Sequence, residues 1–134
     1  MDAKQQDAAA VVGQVYAAFG RGDVEAIVGM MAPGFSWSFN GGRAALSTGK
    51  RSSADDLRRF FGEVATDDEI LAFEPREIIA QGEHVTVLGF ERMRARPDGK
   101  TWESDWVHVF TVRDGKVVRF WGLLDTEAAM AARR

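Results

Sequence analysis

Apolar residues at Ala8, Val11, Val12, Val15, Tyr16 and Phe19 recur at the i, i+3, i+4, i+7 spacing that makes one stripe on a helix. They predict a first helix that Gly20 and Gly22 end. Asp23 is placed to cap a second, shorter helix with Val24, Ile27, Val28 and Met31 as its stripe and Pro33 and Gly34 as its stop. The period then changes to two. Phe35, Trp37 and Phe39 alternate with Ser36 and Ser38, the pattern of a strand with one wet face, and Asn40-Gly41-Gly42 breaks it. A third helix is capped by Ser52 or Ser53, holds Asp55 and Asp56 in its first turn, and carries the stripe Leu57, Phe60, Phe61 and Val64. From about Ile70 onward period two returns, punctuated by Gln81-Gly82-Glu83, Pro97-Asp98-Gly99 and Asp114-Gly115. Four strands follow, at about 70–80, 84–95, 101–112 and 116–124, and connections this short make an antiparallel meander. A short Ala-rich helix comes after Asp125. Helices first and a curled sheet afterwards is an α+β plan, with the helices on one face of the sheet.

The chain has 134 residues, the size of one domain, and residues 1–134 are read as such. Its 46% hydrophobic and 28% charged residues exclude a disordered or collagen-like chain. Lys and Arg number 17 against 20 Asp and Glu, a net charge of −3, and a nucleic-acid binder needs a basic excess instead. With no cysteine and only His84 and His108, disulfides, thiol catalysis and a histidine-rich zinc site are all removed. Met1 to Gln6 carry no export signal, and no apolar run reaches the roughly 20 residues of a membrane span, so the expected protein is cytoplasmic and without a membrane partner. In that setting Arg21-Gly22-Asp23 is a turn and not a displayed adhesion tripeptide. Asp67-Asp68-Glu69 reads as a solvated loop, since hard cations need oxygens from more than one short stretch.

Val15-Tyr16-Ala17-Ala18-Phe19, then Gly22-Asp23, the aromatic strand around Trp37, and the run from His108 to Val117 together resemble the SnoaL-like branch of the nuclear transport factor 2-like superfamily. The resemblance implies a cone of strongly bent antiparallel strands packed on three helices, a cystatin-like α+β barrel. It also implies an apolar pocket and a homodimer formed through the outer face of the sheet. It leaves the activity open, because folds of this kind host isomerases, cyclases, hydrolases, dehydratases and non-catalytic members.

The site residues of three related enzyme types fall on this chain unevenly. By resemblance to ketosteroid isomerases, the oxyanion-hole tyrosine falls on Val15, the general-base aspartate on Phe39 and the second oxyanion donor on His108. By resemblance to SnoaL-type cyclases, a histidine falls on His108 and an aspartate on Gly122. By resemblance to limonene epoxide hydrolases, an arginine falls on Arg92 while the two aspartates fall on Arg94 and Gly122. Arg92 and His108 are therefore the candidate catalytic pair: His108 as acid or base, Arg92 stabilising developing negative charge. Flanked by Val107 and Val109, His108 is expected to be neutral, or else a core histidine satisfied by a carbonyl, Glu91, Asp105 or Asp125.

Alternation puts Phe90, Arg92 and Arg94 on one face and Trp102, Ser104, Trp106, His108 and Phe110 on one face, and the resemblance turns both inward. Tyr16, Trp37, Phe39, Phe60, Phe90, Trp102, Trp106 and Gly122 are the candidate ligand-binding residues. The leading expectation is a small, partly hydrophobic organic ligand, with or without cofactor-free acid/base chemistry; no cofactor or metal is called for. The alternatives are a non-catalytic ligand-binding or sensor module and a protein-interaction adaptor whose cavity its own side chains fill. A ligand-binding reading asks for a cavity of roughly 300 Å³ or more, faced by His108 and Arg92.

Overall fold

Three capped helices begin where the polar residues stand ready to satisfy the first free backbone N–H groups. In the computed structural model, which describes residues 3–40 and 49–134, Asp23 accepts from the Ala26 amide at 3.1 Å, Ser53 from the Asp56 amide at 3.1 Å and Asp125 from the Ala128 amide at 3.0 Å. The break expected at Gly41-Gly42 lies outside the described residues. The order of elements is α1 (Ala3–Gly20), α2 (Val24–Gly29), β1 (Met31–Phe39), β2 (Gly49–Arg51), α3 (Ala54–Asp67), β3 (Asp68–Gln81), β4 (His84–Ala95), β5 (Thr101–Arg113), β6 (Lys116–Leu124) and α4 (Thr126–Ala131). Met31 and Pro33-Gly34 belong to β1, so the second helix stops one turn earlier than its apolar stripe suggests. The left-handed Gly34, at φ 73°, sits within the irregular register between Met31 and Ser36.

One curved, unclosed sheet runs in the order β2-β1-β6-β5-β4-β3. The β3 to β6 meander is antiparallel, as the turns demand, and Asp114 and Gly115 both take positive φ in the β5–β6 turn. The sheet as a whole is mixed, which corrects the all-antiparallel expectation: β1 lies parallel to β6, with Trp37 opposite Phe120. The two rings stack at 3.9 Å, and burying them together holds the long-range pairing. Helix α1 crosses the concave side against β3, β4 and β5, burying Ala8, Val11, Val12, Val15 and Ala18. Helix α3 brings Leu57, Phe60 and Phe61 to the same core. The result is an α+β cone with four helices, the fourth being the expected Ala-rich segment. No helix among the described residues is long and apolar enough to cross a membrane.

Candidate functional site

The concave side of the sheet encloses a cavity of about 120 Å³. This is smaller than the expected 300 Å³ and close to the roughly 150 Å³ in which an apolar cavity takes up a single aromatic ring. Strand β5 supplies the cavity's central polar group. Its alternation is as expected, with Trp102, Ser104, Trp106, His108 and Phe110 all buried on the inner face.

His108 is only 6% exposed and lies flat on Trp106, ring centroids 3.9 Å apart, with the edges of Phe120 and Phe39 at 4.8 Å and 5.6 Å. A charge in such surroundings loses its water, so burial pushes the imidazole down to about 3 and keeps it neutral near pH 7. Its Nδ1 is 2.8 Å from the hydroxyl oxygen of Tyr16, 92 residues away on α1. None of the carbonyl, Glu91, Asp105 or Asp125 partners is used; the phenol is. Burial likewise raises the Tyr16 hydroxyl far above the ordinary phenol range, so it keeps its proton.

The pair thus carries two protons shared among three positions: the phenol oxygen, Nδ1 and Nε2. In one tautomer Tyr16 donates to Nδ1 and Nε2–H is a donor; in the other Nδ1–H donates to the phenol oxygen, leaving the phenol proton as donor and Nε2 as a base. By resemblance to ketosteroid isomerases the oxyanion-hole tyrosine falls on Val15, and the phenol here stands on the next residue. Val15 lines the cavity with its apolar side chain, while Tyr16 delivers the hydroxyl beside His108.

Six expected residues line the cavity: Tyr16, Trp37, Phe39, Phe60, Trp102 and His108. Trp37 also carries a buried Nε1–H that has no partner among the described residues. Four do not. Trp106 sits behind His108 as its stacking wall, and Gly122 lies behind Phe39, where a Cβ would come within 2.3 Å of the Phe39 ring. The position that two enzyme types fill with an aspartate is here filled by Phe39.

Arg92 and Phe90 are corrected outright. Strand β4 pairs Arg92 with Glu103, Met93 with Trp102 and Glu91 with Ser104, so the odd-numbered residues of β4 share the inner face with the even-numbered residues of β5. Arg92 therefore points outward, its side chain 50% exposed, and donates through Nε to Glu103 at 2.8 Å. The Phe90 ring lies outside as well, under the Arg76 guanidinium at 4.6 Å.

The inner residue of that stretch is Glu91, 6% exposed and raised to about 8 by burial, with the Asp68 charge adding to the effect. Asp68 also lines the cavity, which corrects the solvated-loop reading of its acidic triplet. It accepts from Trp102 Nε1 at 2.9 Å and from the Arg133 guanidinium at 2.6 Å. Sequence reasoning missed Glu91, Asp68 and Arg133 as cavity residues; the register of the β4–β5 hairpin was the signal for the first. Among the described residues no three His, Asp or Glu side chains converge to hold a metal ion.

With this geometry in view, comparison with known proteins is informative. The SnoaL-like domain model matches residues 12–120. The chain belongs to the SnoaL-like family. An NTF2-like protein from Burkholderia xenovorans LB400 is 31% identical, with a TM-score of 0.87 over 97% of this chain and 98% of that one. TerC, co-crystallized with polyporic acid, is 29% identical at a TM-score of 0.83, over 94% and 97% of the two chains. A putative polyketide cyclase from Xanthomonas campestris pv. campestris shares the fold at 19% identity, with a TM-score of 0.80 over 98% and 100% of the chains. No curated protein matches. Family membership fixes the fold, and the chemistry of the cavity rests on its own residues.

Proposed function

We propose that this SnoaL-like protein binds a small, flat, partly hydrophobic organic molecule in the cone cavity, and that the His108–Tyr16 pair holds and exchanges a proton with an oxygen of that molecule. One observation carries the reading: a neutral, buried imidazole hydrogen-bonded to a phenol, set in a cavity otherwise walled by Trp37, Phe39, Phe60, Phe61 and Phe120. Aromatic walls select a planar guest, and a small number of fixed polar groups orient it. The volume is on the scale of a single aromatic ring. The relative co-crystallized with polyporic acid supports an organic, oxygen-bearing ligand. With Arg92 outside, negative charge developing on that oxygen is stabilised by the donors of the pair itself, Nε2–H or the phenol O–H. The adaptor alternative is disfavoured by the open cavity, since an adaptor has its own side chains in that space.

A second copy of the chain is our proposed partner. Leu88, Phe90, Val107, Val109, Trp121 and Leu123 form a half-buried apolar band on the outer face of the sheet, flanked by the Arg92–Glu103 ion pair.

Trp37 and Trp102 line the cavity, so intrinsic fluorescence reads its occupancy. Titration with p-butylphenol is expected to give saturable quenching in the wild type. Binding should weaken about five- to tenfold in Tyr16→Phe and at least tenfold in His108→Asn, and stay unchanged in Arg92→Ala. Absence of saturable binding, or equal binding by all four proteins, contradicts the proposal.

A further inference from the structure

Among the described residues, Glu91 is the one buried carboxyl that the proposed chemistry leaves unused. It projects from the inner face of β4 into the same cavity as His108. His108 stands opposite Val87, four residues before Glu91 on β4, so their backbone positions are about 13 Å apart along the strand. They mark opposite ends of one aromatic-walled space.

No hydrogen bond or ion pair reaches the Glu91 carboxyl among the described residues, although three polar groups lie close by in the fold. Ser104, its cross-strand neighbour, donates to the Asp105 carbonyl and accepts from the Asp125 amide. Arg133 donates to the carbonyls of Ala129 and Asp67 and to the Asp68 carboxylate, at 2.6, 3.1 and 2.6 Å. Trp102 Nε1 donates to the other Asp68 oxygen. The hydroxyl proton of Ser104 and the indole N–H of Trp102 are committed elsewhere, and the Glu91 carboxyl, unpaired among the described residues, faces the cavity.

We propose that Glu91 is the second polar anchor of the cavity, donating a hydrogen bond to an acceptor oxygen at the far end of a ligand whose near end rests on His108. The ligand class that follows is a single-ring phenol bearing a ketone or similar carbonyl on a short para chain. This assignment rests on the ligand-binding reading above and adds the identity of the second contact. A carboxylic acid held in its neutral form has one O–H to give, and a carbonyl oxygen is the group that takes it without asking for ionisation. The other titratable or charged groups facing the cavity are Tyr16 from α1, Asp68 from β3, His108 from β5 and Arg133 beyond α4; β1, α3, β6 and α4 contribute only apolar or aromatic side chains. Tyr16 and His108 stay neutral between pH 6 and 9, and Asp68 and Arg133 hold each other. Glu91 is the group whose ionisation falls in that interval.

The test compares two probes of equal length that differ in one carbonyl oxygen, p-hydroxybenzylacetone and p-butylphenol, by fluorescence titration at pH 6 and pH 9. The wild type should bind the ketone about tenfold more tightly at pH 6 and lose that preference at pH 9. Glu91→Gln, which keeps a neutral donor, should hold the preference at both pH values. Glu91→Leu, which replaces an unpaired polar group by an apolar one of similar size and is expected to fold, should lack it at both. If both probes bind the wild type equally at pH 6, or if the preference survives in Glu91→Leu, the anchor is overturned while the ligand-binding reading stands. If neither probe binds the wild type at either pH, the binding reading falls and the anchor with it.

Discussion

The free energy of unfolding should trace a plateau between about pH 4.5 and 6.5 and fall on both sides, by about 2 kcal/mol down to pH 3 and by about 2 kcal/mol up to pH 8. The acid limb belongs to His108. Its imidazole takes a proton near 6.5 in the unfolded chain and near 3 in the folded one, so between those values the unfolded state binds more protons and stability drops as pH falls. The alkaline limb belongs to Glu91. Its carboxyl ionises near 4.5 when unfolded and near 8 when folded, so between those values the folded state keeps a proton the unfolded state has lost, and stability drops as pH rises. Between 4.5 and 6.5 the two slopes are opposite and cancel. Denaturant titrations across this range check the shape. Glu91→Gln should remove the alkaline limb and extend the acid one up to about pH 6.5, and His108→Asn should remove the acid limb and extend the alkaline one down to about pH 4.5. A curve rising steadily from pH 4 to 8 in the wild type contradicts the burial of both groups.

Trp106→Ala should cost about 3–5 kcal/mol, a large share of the 5–15 kcal/mol that holds a domain of this size together. Trp106 is 2% exposed and stacks on both the His108 ring, at 3.9 Å, and the Phe73 ring, at 5.0 Å. Its six-membered edge covers Gly89 on the neighbouring strand so closely that a Cβ there would lie 2.2 Å from it, which is why glycine stands at that position. Removing the indole opens a void beside the imidazole, and water entering it lets His108 return toward its ordinary pKa. Trp106→Phe should be much milder. It keeps most of the stacking area and deletes the buried Nε1–H, which has no partner among the described residues. Denaturant midpoints of the two variants measure the difference. A loss below 1 kcal/mol in Trp106→Ala contradicts the role of this ring as the wall behind the site.

Local pattern was enough to locate the helices and the four-strand meander, because each has its own period and its own terminators: Ser53 and Asp125 as caps, Gly82 and Asp114-Gly115 as turns. Pairings between distant segments left no such trace. Strand β2, three residues with Lys50 and Arg51 exposed or half-exposed, has no apolar alternation to read, and the parallel contact of β1 with β6 depends on Trp37 meeting Phe120 across more than 80 residues of chain. The most consequential error was one of phase. Both β4 and β5 alternate cleanly, but which face of β4 joins the inner face of β5 depends on the hairpin loop, and a one-residue slip exchanges the faces. The observed register, with Ala95 bonded to Lys100, turns Glu91 inward and Arg92 outward. Asp68 was illegible for a different reason: its partner Arg133 lies 65 residues away, and an acidic triplet read alone has every reason to be solvated.

The central claim is that His108 is a neutral imidazole, held by Tyr16, that meets the ligand. Long-range proton–nitrogen NMR of histidine-labelled protein at pH 7 tests it directly, with the exposed His84 as internal reference. The account predicts a neutral ring for His108 and a marked change in its nitrogen shifts on saturation with p-butylphenol, while His84 stays put. A charged His108 ring, or His108 signals that do not move in the saturated protein, would contradict it.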